Sequence, residues 1–190
     1  MSRSREIIEI LAEVVEQTAV GCSLVVMDGK GGWKTVSCPK INYVFGNARY
    51  VKDCLDVLSK PVADVMKFPL IALFCPFNEQ RNSPEYYTRA KVRVLIACST
   101  SKEWNNEQRL NTSFVNILRP IYNRFIEALK DDGRFDFGYD EHVAHEYSEN
   151  YSYGRYGAFT ATGEAVSEPI DAINISNLEL KVKTPNCRQQ

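Results

Sequence analysis

Both histidines of the chain stand three residues apart in DEHVAHE (140 to 146), among Asp140, Glu141 and Glu146. On a helix that spacing puts His142 and His145 on one side, where a nearby carboxylate such as Glu146 would complete a zinc or non-haem iron site. The order H-x-x-H-E is neither H-E-x-x-H nor H-x-x-E-H, so the glutamate is misplaced for the general base of a metalloprotease. An acidic surface loop that happens to hold histidine is the commoner explanation. His142, His145 and Glu146 are kept as metal candidates, with no metal and no other cofactor expected.

Nucleophilic chemistry has less to stand on. There is no G-x-S-x-G elbow, and the six cysteines (Cys22, Cys38, Cys54, Cys75, Cys98, Cys187) form no C-x-x-C pair and no spacing that singles out a Cys-His couple. We expect reduced thiols, mostly buried as small apolar residues. Tyr86 and Tyr87 beside Arg89, Lys91 and Arg93 set aromatics next to bases, as a nucleic-acid surface does. Their period of two puts the three bases on one face of a strand, where a solvated sheet face is the usual reason for them.

The elements that must position these residues follow from periodicity. The chain has 190 residues, 44% apolar and 25% charged, which fits one soluble globular domain spanning 1–190 and excludes rods, collagen and wholesale disorder. Twenty-three basic groups offset 24 acidic ones, so no global field draws the chain to nucleic acid or anionic membrane. The charged N-terminus lacks a signal-peptide core, and the longest apolar run, Phe68 to Phe77, is half the roughly 20 residues of a membrane helix.

Ile7, Ile8, Leu11, Val14, Val15 and Ala19 predict an amphipathic helix capped by Ser4 and stopped by Gly21. CSLVVMD and WKTVSC predict a hairpin around the Gly29 to Gly32 turn, which lacks the features of a phosphate loop. Residues 47 to 58 predict a short helix closed at Pro61. FPLIALFCPF reads as a central strand buried on both faces, paired through a tip near Asn82 to Pro84 with the strand YYTRAKVRVLIACS. A long helix follows from Thr100 to Lys130, with Thr100 and Glu103 at capping-box spacing and Pro120 expected to kink or divide it.

Residues 131 to 149 carry seven acidic groups against one basic, and five of the ten tyrosines fall between Tyr139 and Tyr156. Residues 136 to 167 are expected to be a long irregular loop, IDAINISNLELKVK a half-exposed edge strand, and 184 to 190 a flexible tail. The fold class is α+β: a mostly antiparallel sheet of about four to six strands, flanked by an N-terminal helix and a long, Pro-kinked C-terminal helix.

This order of elements, with RPIYNRFIEAL (119 to 129) and IDAINISNLELKV (170 to 182), resembles the tail terminator and tail completion proteins of tailed bacteriophages and prophages. The resemblance implies a non-enzymatic virion protein of the tail or neck, assembled in the host bacterial cytoplasm. It also implies a homo-oligomeric ring, a hexamer first and a dodecamer as the alternative, that ends the tail tube and joins it to the head–tail connector. Tail-tube, portal or neck proteins would be its partners, with DNA only as passing cargo and no membrane. A head-completion or neck-ring protein fits equally.

On physical grounds the contacts would come from Tyr147, Tyr151, Tyr153 and Tyr156 of the acidic loop and from Leu178, Leu180 and Val182 of the last strand, which could add to a neighbour's sheet. Residues 1 to 95 hold 13 basic and 10 acidic groups, residues 96 to 190 hold 10 and 14, a polarity suited to head-to-tail contact. A small metal-dependent enzyme built on His142 and His145, and a cytosolic nucleic-acid-binding module, are the competing readings.

Overall fold

Two long strands carry the molecule: β6 (Tyr87–Ser99) and β8 (Ile170–Lys183) pair antiparallel along nearly their whole length. The computed structural model describes residues 6–28, 32–58, 68–81, 87–151 and 169–183. Ahead of β6 come α1 (Ile7–Val20), the hairpin β1 (Ser23–Met27) and β2 (Trp33–Ser37), β3 (Asn42–Gly46), α2 (Ala48–Leu58), β4 (Leu70–Phe74) and β5 (Glu79–Arg81). After it come α3 (Asn106–Arg109), a π-helical stretch (Leu110–Leu118), α4 (Arg119–Asp131) and β7 (Glu146–Asn150). The main sheet runs β3-β4-β6-β8-β7, with β5 also on β6, so the fold is α+β as expected.

β4 is apolar throughout because both of its faces are covered. Ile71 and Leu73 join Val92, Val94, Ile96, Ile173 and Ile175 under α1 and α4, whose Ile10, Leu11, Val14, Phe125 and Leu129 fill the other half of that core. Leu70 and Ala72 turn the opposite way and pack with Leu95, Ala97, Ala172 and Val51 of α2. β6 is read by the same logic: only its first half alternates, with Arg89, Lys91 and Arg93 exposed between Ala90, Val92 and Val94. β3 runs parallel to β4, joined to it through α2, a crossover that needs a helix.

Several expectations are corrected. β8 is no edge strand: it lies between β6 and β7 over 172–176. Further along, its outer side is bonded by the chain after α4, through Asp136 N–H to Lys181 O, Glu179 N–H to Ala144 O and Lys183 N–H to Arg134 O. Leu178, Leu180 and Val182 are core residues, at most 4% exposed, not partner contacts. Charged residues alternating with them mark a strand with one solvated face, and an interior strand of a half-covered sheet meets that description as well as an edge does. The apolar set steps by three from Ile175 to Leu178 because a bulge places Ser176 and Asn177 opposite Arg93, with Asn177 at φ 53°. That extra residue keeps Ile173, Ile175, Leu178 and Leu180 on one face.

Within the expected loop 136–167, residues 146–150 are strand β7 rather than irregular chain, while 152–168 and the tail 184–190 lie outside the described residues. α1 begins at Ile7 with Glu6 at the cap position and no side-chain capping bond; Ser4 lies outside the described residues. The capping box of the long helix is Asn105 with Gln108, not Thr100 with Glu103. The two side chains and backbone amides bond reciprocally at 2.8 and 2.9 Å. Pro120 does not divide the helix. The helical path runs from 106 to 131, widens to π geometry before Pro120, and resumes as α4 with the proline at its start. The hairpin turn 29–31 and the tip 82–86 also lie outside the described residues.

Candidate functional site

The structure separates the metal candidates. His145 is half-buried against α4: its Nδ1 lies 2.7 Å from the Val143 carbonyl, which can only accept, so Nδ1 is a donor. Its Nε2 lies 2.8 Å from the Tyr122 hydroxyl, within hydrogen-bond distance. Burial raises that tyrosine's pKa, which keeps the hydroxyl protonated. His142 is exposed, and Glu146 accepts from the Ser176 hydroxyl at 3.1 Å. Among the described residues no three His, Cys, Asp or Glu side chains come together as a metal site. Cys22 and Cys98 are buried, Cys38 is exposed, Cys54 and Cys75 are half-buried, and all five are free thiols. Burial pushes the thiols of Cys22, Cys75 and Cys98 up, away from the nucleophilic thiolate. Cys187 lies outside the described residues.

What the fold does present is a pair of sheet edges. At one end, β3 has no second strand neighbour among the described residues, and Phe45 stands 49% exposed on it, with Tyr50 exposed just beyond. The strand is tied down by Tyr43, whose hydroxyl donates to the Ile8 carbonyl at 3.1 Å. Lys40 and Arg49, both exposed, flank it. At the other end, β7 likewise has β8 as its one strand neighbour among the described residues, and carries Tyr147, 41% exposed. Its flanks are acidic: Asp140, Glu141 and Glu146.

β7 is a polar strand, EYSEN, held by charge and aromatic contact rather than by apolar burial. Arg119 of α4 grips Glu149 bidentately at 2.7 and 3.1 Å, and the Tyr147 hydroxyl donates to the same carboxylate at 2.5 Å. The Tyr147 ring meets Tyr122 edge-on at 4.8 Å, and Tyr151 lies against Phe114 of the π-helical stretch at 4.4 Å. Of the four tyrosines singled out in the sequence, Tyr147 is thus a surface residue of the edge, Tyr151 is half-buried against a helix, and Tyr153 and Tyr156 lie outside the described residues.

The Arg119 bond, helped by Tyr147, holds the Glu149 carboxyl below its ordinary 4.5. A carboxylate with a lowered folded pKa stabilises above the unfolded value, and loses that contribution as pH falls through the folded one. Thermal melts from neutral to acid should therefore drop more steeply in the native protein than in Glu149→Gln, whose melting temperature is lower at neutral pH. Parallel curves for the two proteins would show that β7 is not anchored this way.

A third feature lies on the face opposite α1 and α4, where a cleft of about 1040 Å³ opens over the exposed half of β6 and β8. Arg89, Lys91, Arg93 and Lys181 line its floor, and Phe74, Phe77 and Phe137, all half-buried, form its walls, with His142 at the rim. Lys91 pairs with Glu179 at 2.7 Å. Lys181 pairs with Asp136 at 3.0 Å and sits 3.9 Å from the Tyr87 ring centre. The Gly138 N–H and then Lys181 lower the Asp136 carboxyl, so it is ionised at neutral pH. Arg93 lies over the Phe74 ring and donates to Asn174. The aromatic walls come from segments outside β6, which is why the pattern of bases alone did not reveal them.

Fold and surfaces together define an α+β protein whose sheet ends, among the described residues, in two edge strands of opposite local charge. Set against known proteins, the chain matches no family model and no curated relative. No helix among the described residues is long and apolar enough to cross a membrane.

Proposed function

We propose that this chain is a non-enzymatic structural subunit that assembles head to tail into a ring, as a tail terminator or neck-ring component of a phage. This is the role implied by its resemblance to tail completion proteins, with tail-tube, portal or neck proteins as partners. One observation carries the reading: β3 and β7, five residues each, lie at opposite ends of one sheet and differ in flanking charge. Identical copies joined through two different edges make a heterologous contact, which closes into a ring when the rotation allows it. Within a sheet β7 runs opposite to β3, so a ring axis along the strands brings the β7 of one copy antiparallel to the β3 of the next. Phe45 and Tyr147 both project to the helix-bearing face, and would meet across that join. The acidic flank of β7 then faces Arg49.

The enzyme reading has no such support, since both ring nitrogens of His145 are engaged within the chain. Light scattering on purified protein, alone and mixed with its tail tube, is expected to give a closed multimer, most simply a hexamer, with rings in negative stain. A strictly monomeric mass under both conditions overturns the proposal.

A further inference from the structure

We infer that Cys22 and Cys38 are a modification site: a cross-strand thiol pair that a disulfide-type oxidant converts into an intrachain disulfide, an ability apart from ring assembly. Cys22 precedes β1 and Cys38 follows β2, and the register that pairs Ser23 with Ser37 makes them the next pair of the ladder. The Cys38 N–H donates to the Cys22 carbonyl at 2.9 Å, so the pairing does extend to them. Residues opposed in this hydrogen-bonded way stand about 5.5 Å apart at Cα, inside the roughly 4.4–6.8 Å that a disulfide spans. Cys38 has a φ of 50°, a conformation that Asn or Gly adopts more readily. There its thiol lies back on the end of α1 and donates to the Val20 carbonyl at 3.0 Å, two residues from Cys22. Burial raises the Cys22 thiol, Arg124 draws it back down, and Cys38 is near enough to add to the rise.

The two thiols divide the exchange between them. Cys38 is exposed and meets the oxidant, while Cys22 is buried and reacts only within the chain. The Cys38 thiolate attacks one sulfur of oxidised glutathione, whose S–S bond breaks and releases a first glutathione thiolate. The Cys22 thiolate then attacks the Cys38 sulfur and releases the second. Two protein thiols are oxidised, one glutathione disulfide is reduced, and the two protons pass to the two glutathiones. Arg124 favours the Cys22 thiolate that the second step needs, and it sits so close to Gly21 that a Cβ there would collide with its Nε. The bridge acts where the fold is thinnest: β1 and β2 form a two-stranded sheet of their own among the described residues, and β2 is exposed everywhere but at Val36. Closing the chain across the 15 residues between the cysteines ties the open end of that hairpin to the end of α1.

The test is incubation of the folded full chain with oxidised glutathione, then acid quench, alkylation of remaining thiols, tryptic digestion and mass spectrometry. Cleavage after Lys30, Lys34 and Lys40 separates the cysteines, so the bridge shows as peptide 6–30 joined to peptide 35–40. That linkage is the expected main product, and dithiothreitol should abolish it. Amide hydrogen exchange in β1 and β2 should slow by at least about threefold in the bridged protein and recover on reduction. Cys38→Ser, a change at an exposed position, should show neither linkage nor slowing, whereas Cys75→Ser should show both. No reaction, a glutathione cap left on Cys38 beside a free Cys22, a main bridge to any other cysteine, or unchanged exchange in the bridged protein overturns the inference. Mapping and exchange on the native chain need no variant, so they decide even if a variant fails to fold.

Discussion

Asp171→Ala is expected to lose about 3–5 kcal/mol of stability, the usual consequence of breaking a buried ion pair from one side. Asp171, fully buried near the start of β8, lies 3.3 Å from the Arg109 guanidinium at the end of α3. The same guanidinium donates to the carbonyls of Trp104 and Ser101 at 3.1 and 3.0 Å, so it also fastens the loop that leads from β6 into the long helix. Removing the carboxylate takes away the negative charge that lies 3.3 Å from a buried cation, so its desolvation is less well compensated. In a chain of this size the melting temperature should fall by roughly 10 °C. Arg109→Met/Asp171→Leu should recover much of the loss, because the expensive state is the half-removed pair rather than its absence. Chemical denaturation of all three proteins measures this, and a loss below about 1 kcal/mol for Asp171→Ala would show that the pair is not what joins helix to sheet.

Arg109 also shows where sequence reading stops. Within a helical stretch rich in polar residues, an arginine looks like any solvated base, and only the approach of β8 from 62 positions away buries it. The features set by short-range periodicity were legible: the stripe of α1, the β1–β2 hairpin, α2, the doubly buried β4 and the alternating start of β6. Those set by long-range neighbours were not. Alternation in β8 reports that one face is dry and says nothing of which strand lies beside it, so Leu178, Leu180 and Val182 read equally as an edge or as core. β7 was missed because EYSEN has almost no apolar content; it is a strand because β8 offers it a ladder and α4 offers Arg119 and Tyr122. β3 carried the right residues, but its parallel pairing depends on α2 reversing the chain across the sheet. The candidate site suffered most from this. The tyrosine-rich segment pointed to the β7 edge through Tyr147, while Phe45 at the opposite edge gave no signal beyond one aromatic in a short run.

The head-to-tail arrangement makes a second prediction that a symmetric dimer does not. Phe45→Asp places a charge on β3 facing the acidic flank of β7, and Tyr147→Asp removes the aromatic of β7 and puts a poor strand former in its place. Like charge across an interface costs several kcal/mol, so Phe45→Asp is expected to be monomeric, with its contact weakened more than 100-fold. Tyr147→Asp should be monomeric too, for lack of its β7 contact. Each variant keeps one intact edge, and the two intact edges are different ones. Mixed in equal amounts, they can form the one native contact, β7 of the Phe45→Asp copy on β3 of the Tyr147→Asp copy, while the two altered edges repel each other. The mixture should therefore run as a one-to-one dimer and go no further, even at high concentration. An isologous contact through β3 alone would respond to Phe45→Asp and ignore Tyr147→Asp, which would then be a dimer by itself, and mixing would give no one-to-one dimer of the two variants. Sedimentation velocity of the two variants and their mixture separates these outcomes. Because the dimer requires both proteins to be folded, its appearance also excludes misfolding as the reason either variant fails to assemble alone.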